Sequence, residues 1–330
     1  MPRHASNTRR HFPTLNISLI MGLMLFFVSC DINNDDDISP STGNANGNAA
    51  LLGTSNVRSN GSVVKLGSVN AVSEGIISLR EVATRMETPR LKGGNDNLFV
   101  VHTTSDGVNY CIEWNYALRA QRWSAFRWDK SNTGGNAGYS GEFREDPLIP
   151  ETYRTTLDDH KSNGHDRGHI IGSADRQRTS EANSQTFYLS NMQPQLNAFN
   201  AQGIWYELEI RLRSTYNKDS FRDTLYVVKG GTIDNGNYTW VKGRGQALVC
   251  PKYFFMALLR KRNDISANGG YAAVGFWMKH ESNTDSTFKN YAVSIDELEE
   301  LTGIDFFCNL PDEIEKAVEK SYSTAVWKLN

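Results

Sequence analysis

His169 closes the run Asn163-Gly164-His165-Asp166-Arg167-Gly168-His169, and these residue types suit attack of water on a phosphoester. Histidine titrates near neutrality and can take the proton. Arginine offers phosphate oxygens a permanent planar fork, and glycine lets a backbone come close to a substrate. On an extended strand Arg167 and His169, two residues apart, share a face. A turn with a surface arginine and a hydrogen-bonded histidine would need no more than the same tetrapeptide, so a second segment has to decide. Asn191, Gln193, Gln195, Asn200 and Gln202 gather neutral amide oxygens ahead of a helical pattern, and such oxygens suit a Mg²⁺ that keeps most of its waters. Glu209 and Arg213 follow one helical turn apart, a spacing that serves a site or an ordinary surface ion pair equally well.

Other residue types carry less. His165 and His169 would share a strand face but lie about 13 Å apart, too far for one ion. His102, His160 and His280 show no metal-ligand spacing and read as structural or surface residues. Trp114, Trp123, Trp128, Trp205, Trp277 and Trp327 read as core rather than as platforms for stacked bases. No glycine-rich loop precedes a Lys-Ser/Thr pair, which excludes nucleotide-driven motors.

The elements that must position these residues are legible in the hydropathy pattern. Residues 97–104 (NLFVVHTT) and 108–114 (VNYCIEW) read as strands around a Ser105-Asp106-Gly107 turn. Residues 123–128, 224–229, 246–250 and 272–278 are further strand candidates, and 253–261 reads as strand or turn. Residues 203–216 read as a helix with Ile204, Leu208, Ile210 and Leu212 on one broad apolar face. Ser294 with Glu297 three residues on resembles a capping box opening a helix to Thr302, and a last helix spans 312–322. Strands and helices do not alternate regularly, so the expected class is α+β rather than a doubly wound parallel sheet.

Several stretches together resemble the DNA/RNA non-specific endonuclease family, which includes secreted bacterial nucleases and mitochondrial endonuclease G. Its Asp-Arg-Gly-His hallmark is intact as Asp166 to His169. Upstream stand Phe143-Arg144-Glu145-Asp146-Pro147 and Ile149-Pro150; downstream stand Tyr188-Leu189-Ser190-Asn191-Met192 and Pro194-Gln195. Gly203-Ile204-Trp205, Leu208-Glu209, Val249, Pro251-Lys252-Tyr253-Phe254, Leu301-Thr302-Gly303 and Asp305-Phe306-Phe307 follow in consistent order, so the resemblance spans about residues 95–312. It implies a ββα-metal motif on a mixed sheet core, with His169 as general base and Asn200 as the direct ligand of Mg²⁺ (or of Mn²⁺ or another divalent cation). It also implies that Glu209 holds metal-bound waters, that Arg167 and Arg213 face the phosphate, and that Asn191 supports the site. DNA and RNA would both be cut, with little sequence preference, to 5′-phosphate products. One departure stands out. The family usually has one residue between the metal-binding Asn and the Gly before Trp; here Ala201 and Gln202 both intervene. On an unbroken helix Asn200 and Glu209 would lie on opposite sides. Asn200 must then precede the first regular turn, or a bulge must absorb the extra residue; Gln202, seven residues before Glu209 and so on its face, is the alternative ligand.

The 330 residues carry a formal charge of only -2, with 39% hydrophobic and 22% charged residues, ordinary for a soluble globular chain. Residues 1–30 hold Arg3, Arg9 and Arg10 and no acids, so the remainder has 32 basic against 37 acidic residues. A protein that coats nucleic acid is usually basic; here contact with nucleic acid must be local. Arg9 and Arg10, the apolar residues 18–28 and Phe27-Val28-Ser29-Cys30 resemble a bacterial lipoprotein signal, the apolar run being too short to span a bilayer. The expected product is exported and lipid-anchored at Cys30 in the cell envelope, at the outer membrane or cell surface. Residues 31–85 are expected to be a flexible linker, rich in Asn, Asp, Gly and Ser over 31–60 and compatible with a strand or short helix over 61–85; the endonuclease domain would occupy 86–330. Cys111, Cys250 and Cys308 permit one disulfide without choosing it; a buried free thiol is the alternative for each. The rival reading is a surface lipoprotein that binds nucleic acid for uptake without cutting it.

Overall fold

The computed structural model describes residues 47–48, 56–59, 62–65, 79–283 and 285–329. The signal segment, Cys30 and most of the expected linker lie outside the described residues. In chain order the elements are β1 (Asn56–Ser59), β2 (Ser62–Lys65), α1 (Leu79–Ala83), β3 (Asn97–Thr104), β4 (Gly107–Asn115), β5 (Ala120–Trp128) and β6 (Asp166–His169). Next come α2 (Ser180–Gln185), β7 (Met192–Gln195), α3 (Ile204–Arg211), β8 (Thr224–Gly231), β9 (Tyr238–Val241) and β10 (Leu248–Pro251). The chain ends with β11 (Tyr253–Lys261), β12 (Tyr271–Lys279), β13 (Ala292–Val293), α4 (Ile295–Thr302) and α5 (Asp312–Glu319).

Nine strands form one sheet in the order β13-β12-β11-β8-β5-β4-β3-β1-β2, antiparallel except for the β1–β3 pair. Alternate side chains feed two cores, one on each face. Phe99, Val101, Trp123 and Val228 pack with Val82, Leu298 and Val318 of the helices α1, α4 and α5. Leu98, Val100, Phe126 and Val227 pack on the other face with Ile170, Ile171, Ile204, Trp205 and Leu208. Burial on both faces is why the strands read as nearly continuous apolar runs although the sheet is antiparallel. The α+β class and mixed-sheet core expected from the sequence are what the chain adopts.

One expectation, the place of Ile210, needs correction. Residues ahead of 86 also pack on the core, within the stretch read as compatible with a short helix. α1 buries Val82 and Ala83, and the buried Asn48 donates to the carbonyl oxygens of Ala83 and Pro89 while accepting from the N–H of Leu91. A polar residue whose amide is spent on three main-chain groups looks in sequence like linker. Ile210 does not share the apolar face of α3, and it is exposed; two residues on from Leu208 it lies 200° round the helix. Trp205 fills that face instead, 0% exposed. Of the two readings open for the cysteines, the free thiol is the one found: Cys111, Cys250 and Cys308 are all buried and free, and burial pushes each thiol up, Cys250 to about 11.

Candidate active site

Two short strands and a helix carry the site. β6 pairs antiparallel with β7 in a ribbon separate from the large sheet, with Arg167 opposite Pro194, Gly168 opposite Gln193 and His169 opposite Met192. α3 follows, and its Trp205 donates an indole hydrogen bond of 3.2 Å to the carbonyl of His169. This is the ββα arrangement. Gly168 has a reason other than substrate approach: a Cβ there would stand 2.1 Å from Gln195 Oε1, so only glycine lets the buried Gln195 cross behind the strand.

Arg167, His169 and Asn200 line one cleft of about 550 Å³, as the shared strand face requires. Its Lys161 and Arg244 add positive charge around Asp166. Among its lining residues the cleft thus carries three basic side chains against one carboxylate, a place where an anionic polymer could lie. His169 Nε2 is buried without a hydrogen-bond partner. Its ring is wedged edge-on against Phe187 at 5.0 Å and lies 5.7 Å from Phe143. The guanidinium of Arg167 sits 4.3 Å over the same Phe143 ring, a cation–π contact that fixes its direction. Burial holds the His169 imidazole down at about 4; Lys229 and Arg167 push the same way and Asp175 opposes them.

Phe143 is aimed by the strand-like pairing around it. Arg144 N–H donates to Phe187 O, and Leu189 N–H donates to Arg144 O. The buried Asp146 lies 3.0 Å from His102 Nε2 and accepts from Ser190 Oγ at 2.5 Å. Burial alone would raise Asp146, but His102, Ser190 and the Leu148 N–H hold it below the ordinary carboxylate range.

The turn before α3 absorbs the extra residue. Gln202 N–H reaches back five residues to Asn197 O, and Trp205 N–H six to Phe199 O. The helix then starts from Gly203, where a Cβ would meet Ala198 O at 2.2 Å. Asn200 therefore precedes the first regular turn, as its proposed contact requires. Gln202 is also outside the helix, not within its first turn, and it is exposed. The helical phase that made Gln202 an alternative ligand does not exist.

The remaining candidates sit behind the cleft rather than in it. Asn191 is fully buried; its side chain accepts from Ile171 N–H and donates to Ile171 O and Thr186 O. It positions the strand end after His169 and touches no cleft. Gln193 donates to Gln121 O at 3.3 Å, and Gln195 is spent on packing, so the amide cluster of the sequence breaks up and only Asn200 stays in the cleft. Glu209 lies 2.5 Å from Lys229 Nζ, and Arg213 bonds Asp175 at 2.8 Å. Both share one helix face as expected, but within a buried network rather than on the cleft lining. Burial pushes the Glu209 carboxyl above its ordinary range, against the pull of Lys229.

Sequence reasoning missed Lys229, Asp175, Phe143 and His160. Lys229 had a signal, a lysine inside the apolar run of β8. His160 was read as structural or surface; it lines the cleft, 4% exposed, with neither ring nitrogen bonded. Asp175, in a loop of mixed polarity, had none.

The comparisons with known proteins agree with this geometry. Residues 96–313 match the DNA/RNA non-specific endonuclease family. A nuclease of Nostoc sp. is 33% identical over 216 residues, 64% of this chain and 75% of that protein. Nuclease C1 of Cunninghamella echinulata is 30% identical over 61% of this chain and 81% of its own. The fold is similar to a chain of the EndoG/EndoGI complex, with TM-score 0.52 and 22% identity over 61% of this chain and 84% of that one. With the family's match covering well over half its length, and with a ββα cleft lined by histidine, arginine and asparagine, the chain belongs to the DNA/RNA non-specific endonucleases, which hydrolyse phosphodiester bonds.

Proposed function

We propose that the protein is a divalent-cation-dependent endonuclease that cuts DNA and RNA with little sequence preference, with His169 as general base and products carrying 5′-phosphate. The observation that carries this reading is the unpartnered His169 Nε2 in a cleft shared with Arg167 and Asn200. With its pKa held at about 4, the imidazole is neutral at physiological pH and takes the proton of the attacking water. The oxygen then bonds to phosphorus, the bond to the 3′ oxygen breaks, and that oxygen is protonated from solvent. Arg167, steered by Phe143, holds a phosphate oxygen. Contact through phosphate is independent of sequence.

The residues fit a hard cation. Asn200 Nδ2 donates to Asp166 Oδ2 at 3.3 Å, which leaves the Asn200 carbonyl oxygen as the end available to an ion. One neutral oxygen beside one carboxylate suits Mg²⁺, which retains most of its waters. Bound there, a divalent cation would neutralise charge at the phosphate and the leaving oxygen. Asn200 would be its direct ligand, and Glu209, held back by Lys229, would reach it through water.

Incubation of the protein with plasmid and with RNA, in Mg²⁺ and in EDTA, tests the activity. Cleavage of both that EDTA stops is expected; intact substrates in Mg²⁺ would favour the uptake protein. His169→Ala should bind nucleic acid but cleave about 10²–10⁴-fold more slowly, and near-normal turnover would remove His169 from its role. The proposed place of action is the cell envelope, by lipidation of Cys30. Cys30→Ser should then leave the membrane fraction or accumulate as precursor; an unchanged distribution would refute the anchor.

A further inference from the structure

A second cluster of acids lies on the other face of the sheet from the cleft. Asp296 and Glu299 stand three residues apart on α4 and so on one side of it; Glu319 ends α5. Each offers one carboxylate oxygen, and these oxygens lie within 4.8 Å of one another. Helices α4 and α5 pack Leu298 and Val318 into the core that excludes the cleft residues. We infer that Asp296, Glu299 and Glu319 form a separate cation site, suited to Ca²⁺, that ties α4 to α5.

Four features support it. Glu319 is 5% exposed, and its Oε1 has no hydrogen-bond partner, a deficit that a buried carboxylate does not tolerate without compensation. Glu319 lines a cavity of about 470 Å³ with the other two acids, and Asp305, Asp312 and Glu315 line it as well. Against six carboxyls stands one lysine among the described lining residues, Lys316, and it is exposed. Glu299 is already aimed. Gly303, with φ 69°, ends α4 and turns the chain so that Phe306 N–H donates to Glu299 Oε1 at 2.7 Å, leaving the other oxygen for a ligand. The C-terminal end of α5 adds negative partial charge beside Glu319, which favours a cation and disfavours a lone carboxylate.

The choice of Ca²⁺ follows from ligand type and geometry. Ca²⁺ takes six to eight oxygens at about 2.3–2.6 Å in flexible geometry, so carboxylates that reach it from two separate helices can share it. Mg²⁺ needs about 2.0–2.1 Å and a near-ideal octahedron. With Asp296 exposed, the affinity should fall in the weak range of extracellular Ca²⁺ modules, about 10⁻⁴–10⁻³ M.

The test is CaCl₂ titration of the whole protein by calorimetry, with thermal unfolding in EDTA and in 5 mM CaCl₂ (about five times the weaker limit of that range). Asn200→Ala removes the cleft ligand and serves as control. Wild type and Asn200→Ala should both bind Ca²⁺ and both unfold at higher temperature in its presence. Glu319→Gln and Glu299→Gln should lose at least about tenfold in that affinity (1.4 kcal/mol) and most of the thermal shift, while still cleaving DNA in Mg²⁺. Should either glutamine variant fail to fold, Asp296→Asn, at an exposed position, must show the same weakening. The inference is overturned if wild type binds no Ca²⁺ at 5 mM, if Asn200→Ala abolishes all Ca²⁺ binding, or if the variants that fold keep wild-type affinity.

Discussion

The ammonium of Lys229 lies 2.5 Å from Glu209 Oε1 and 4.7 Å above the Trp205 ring, fully buried, with Asp175 Oδ2 3.7 Å away. One cation thus sits between two carboxylates, over the ring of the tryptophan that bonds the His169 carbonyl. Lys229→Met should cost about 3–5 kcal/mol, because removing one partner strands a buried charge. Urea unfolding would measure it. Lys229→Met with Glu209→Gln should regain part of the loss; a double variant no more stable than the single would show that the pair is not what holds the network.

Three histidines make the fold acid-sensitive. Burial holds His160, His169 and His280 at about 4, against 6.5 for an ordinary histidine. Between those values the unfolded chain binds protons that the folded chain refuses, so stability falls as pH drops through that window. The slope approaches about 1.4 kcal/mol per pH unit for each histidine. In unfolding midpoints at pH 7, 6 and 5, His160→Gln should therefore gain stability relative to the unaltered protein as pH falls, by up to one proton's share; the Glu299 and Glu319 carboxyls, which burial raises, act in the opposite sense in both proteins and cancel from this difference. Parallel profiles for the two proteins would contradict this. For the same reason the acidic limb of kcat/KM should lie well below pH 6.

The amide that meets the cation can be identified by titration. Asn200→Ala should need at least about tenfold more Mg²⁺ for half-maximal cleavage, whereas Gln202→Ala, at an exposed position outside the helix, should need little more. The reverse ranking would mean that the widened turn rearranges when the ion binds.

Gly168 tests the packing behind the base. Gly168→Ala should cost about 1–3 kcal/mol by overpacking and lower activity by moving His169. Gln195→Ala removes the Cγ, Cδ and Oε1 atoms that the new Cβ would strike at 2.1–2.4 Å, so the double variant should regain activity. A double variant as weak as Gly168→Ala would place the strain elsewhere.

Much of this was legible in the sequence because it is periodic or local. The strands of the large sheet announce themselves as apolar runs, and Ser294 caps α4 with its Oγ 3.1 Å from Glu297 N, as the spacing indicated. Arg167 and His169 share the cleft because residues two apart on a strand must. What was not legible depends on distant partners. Asn191 and Asn200 look alike in sequence; one is consumed by Ile171 and Thr186 and the other is left in the cleft. Asp175 matters only because Arg213 and Lys229, 38 and 54 positions later, fold onto it. Asn48 belongs to the domain through hydrogen bonds that composition cannot show.

The five- and six-residue hydrogen-bonded loops between Leu196 and Trp205 uncouple the phase of α3 from the length of the chain before it. Gly203 sets where the helix begins, and Trp205 locks it to the strand of His169, so a residue gained upstream would swell the turn instead of rotating Glu209 away from Lys229. The turn works as an expansion joint: the ββα frame tolerates altered spacing ahead of Gly203 while the helix keeps its orientation.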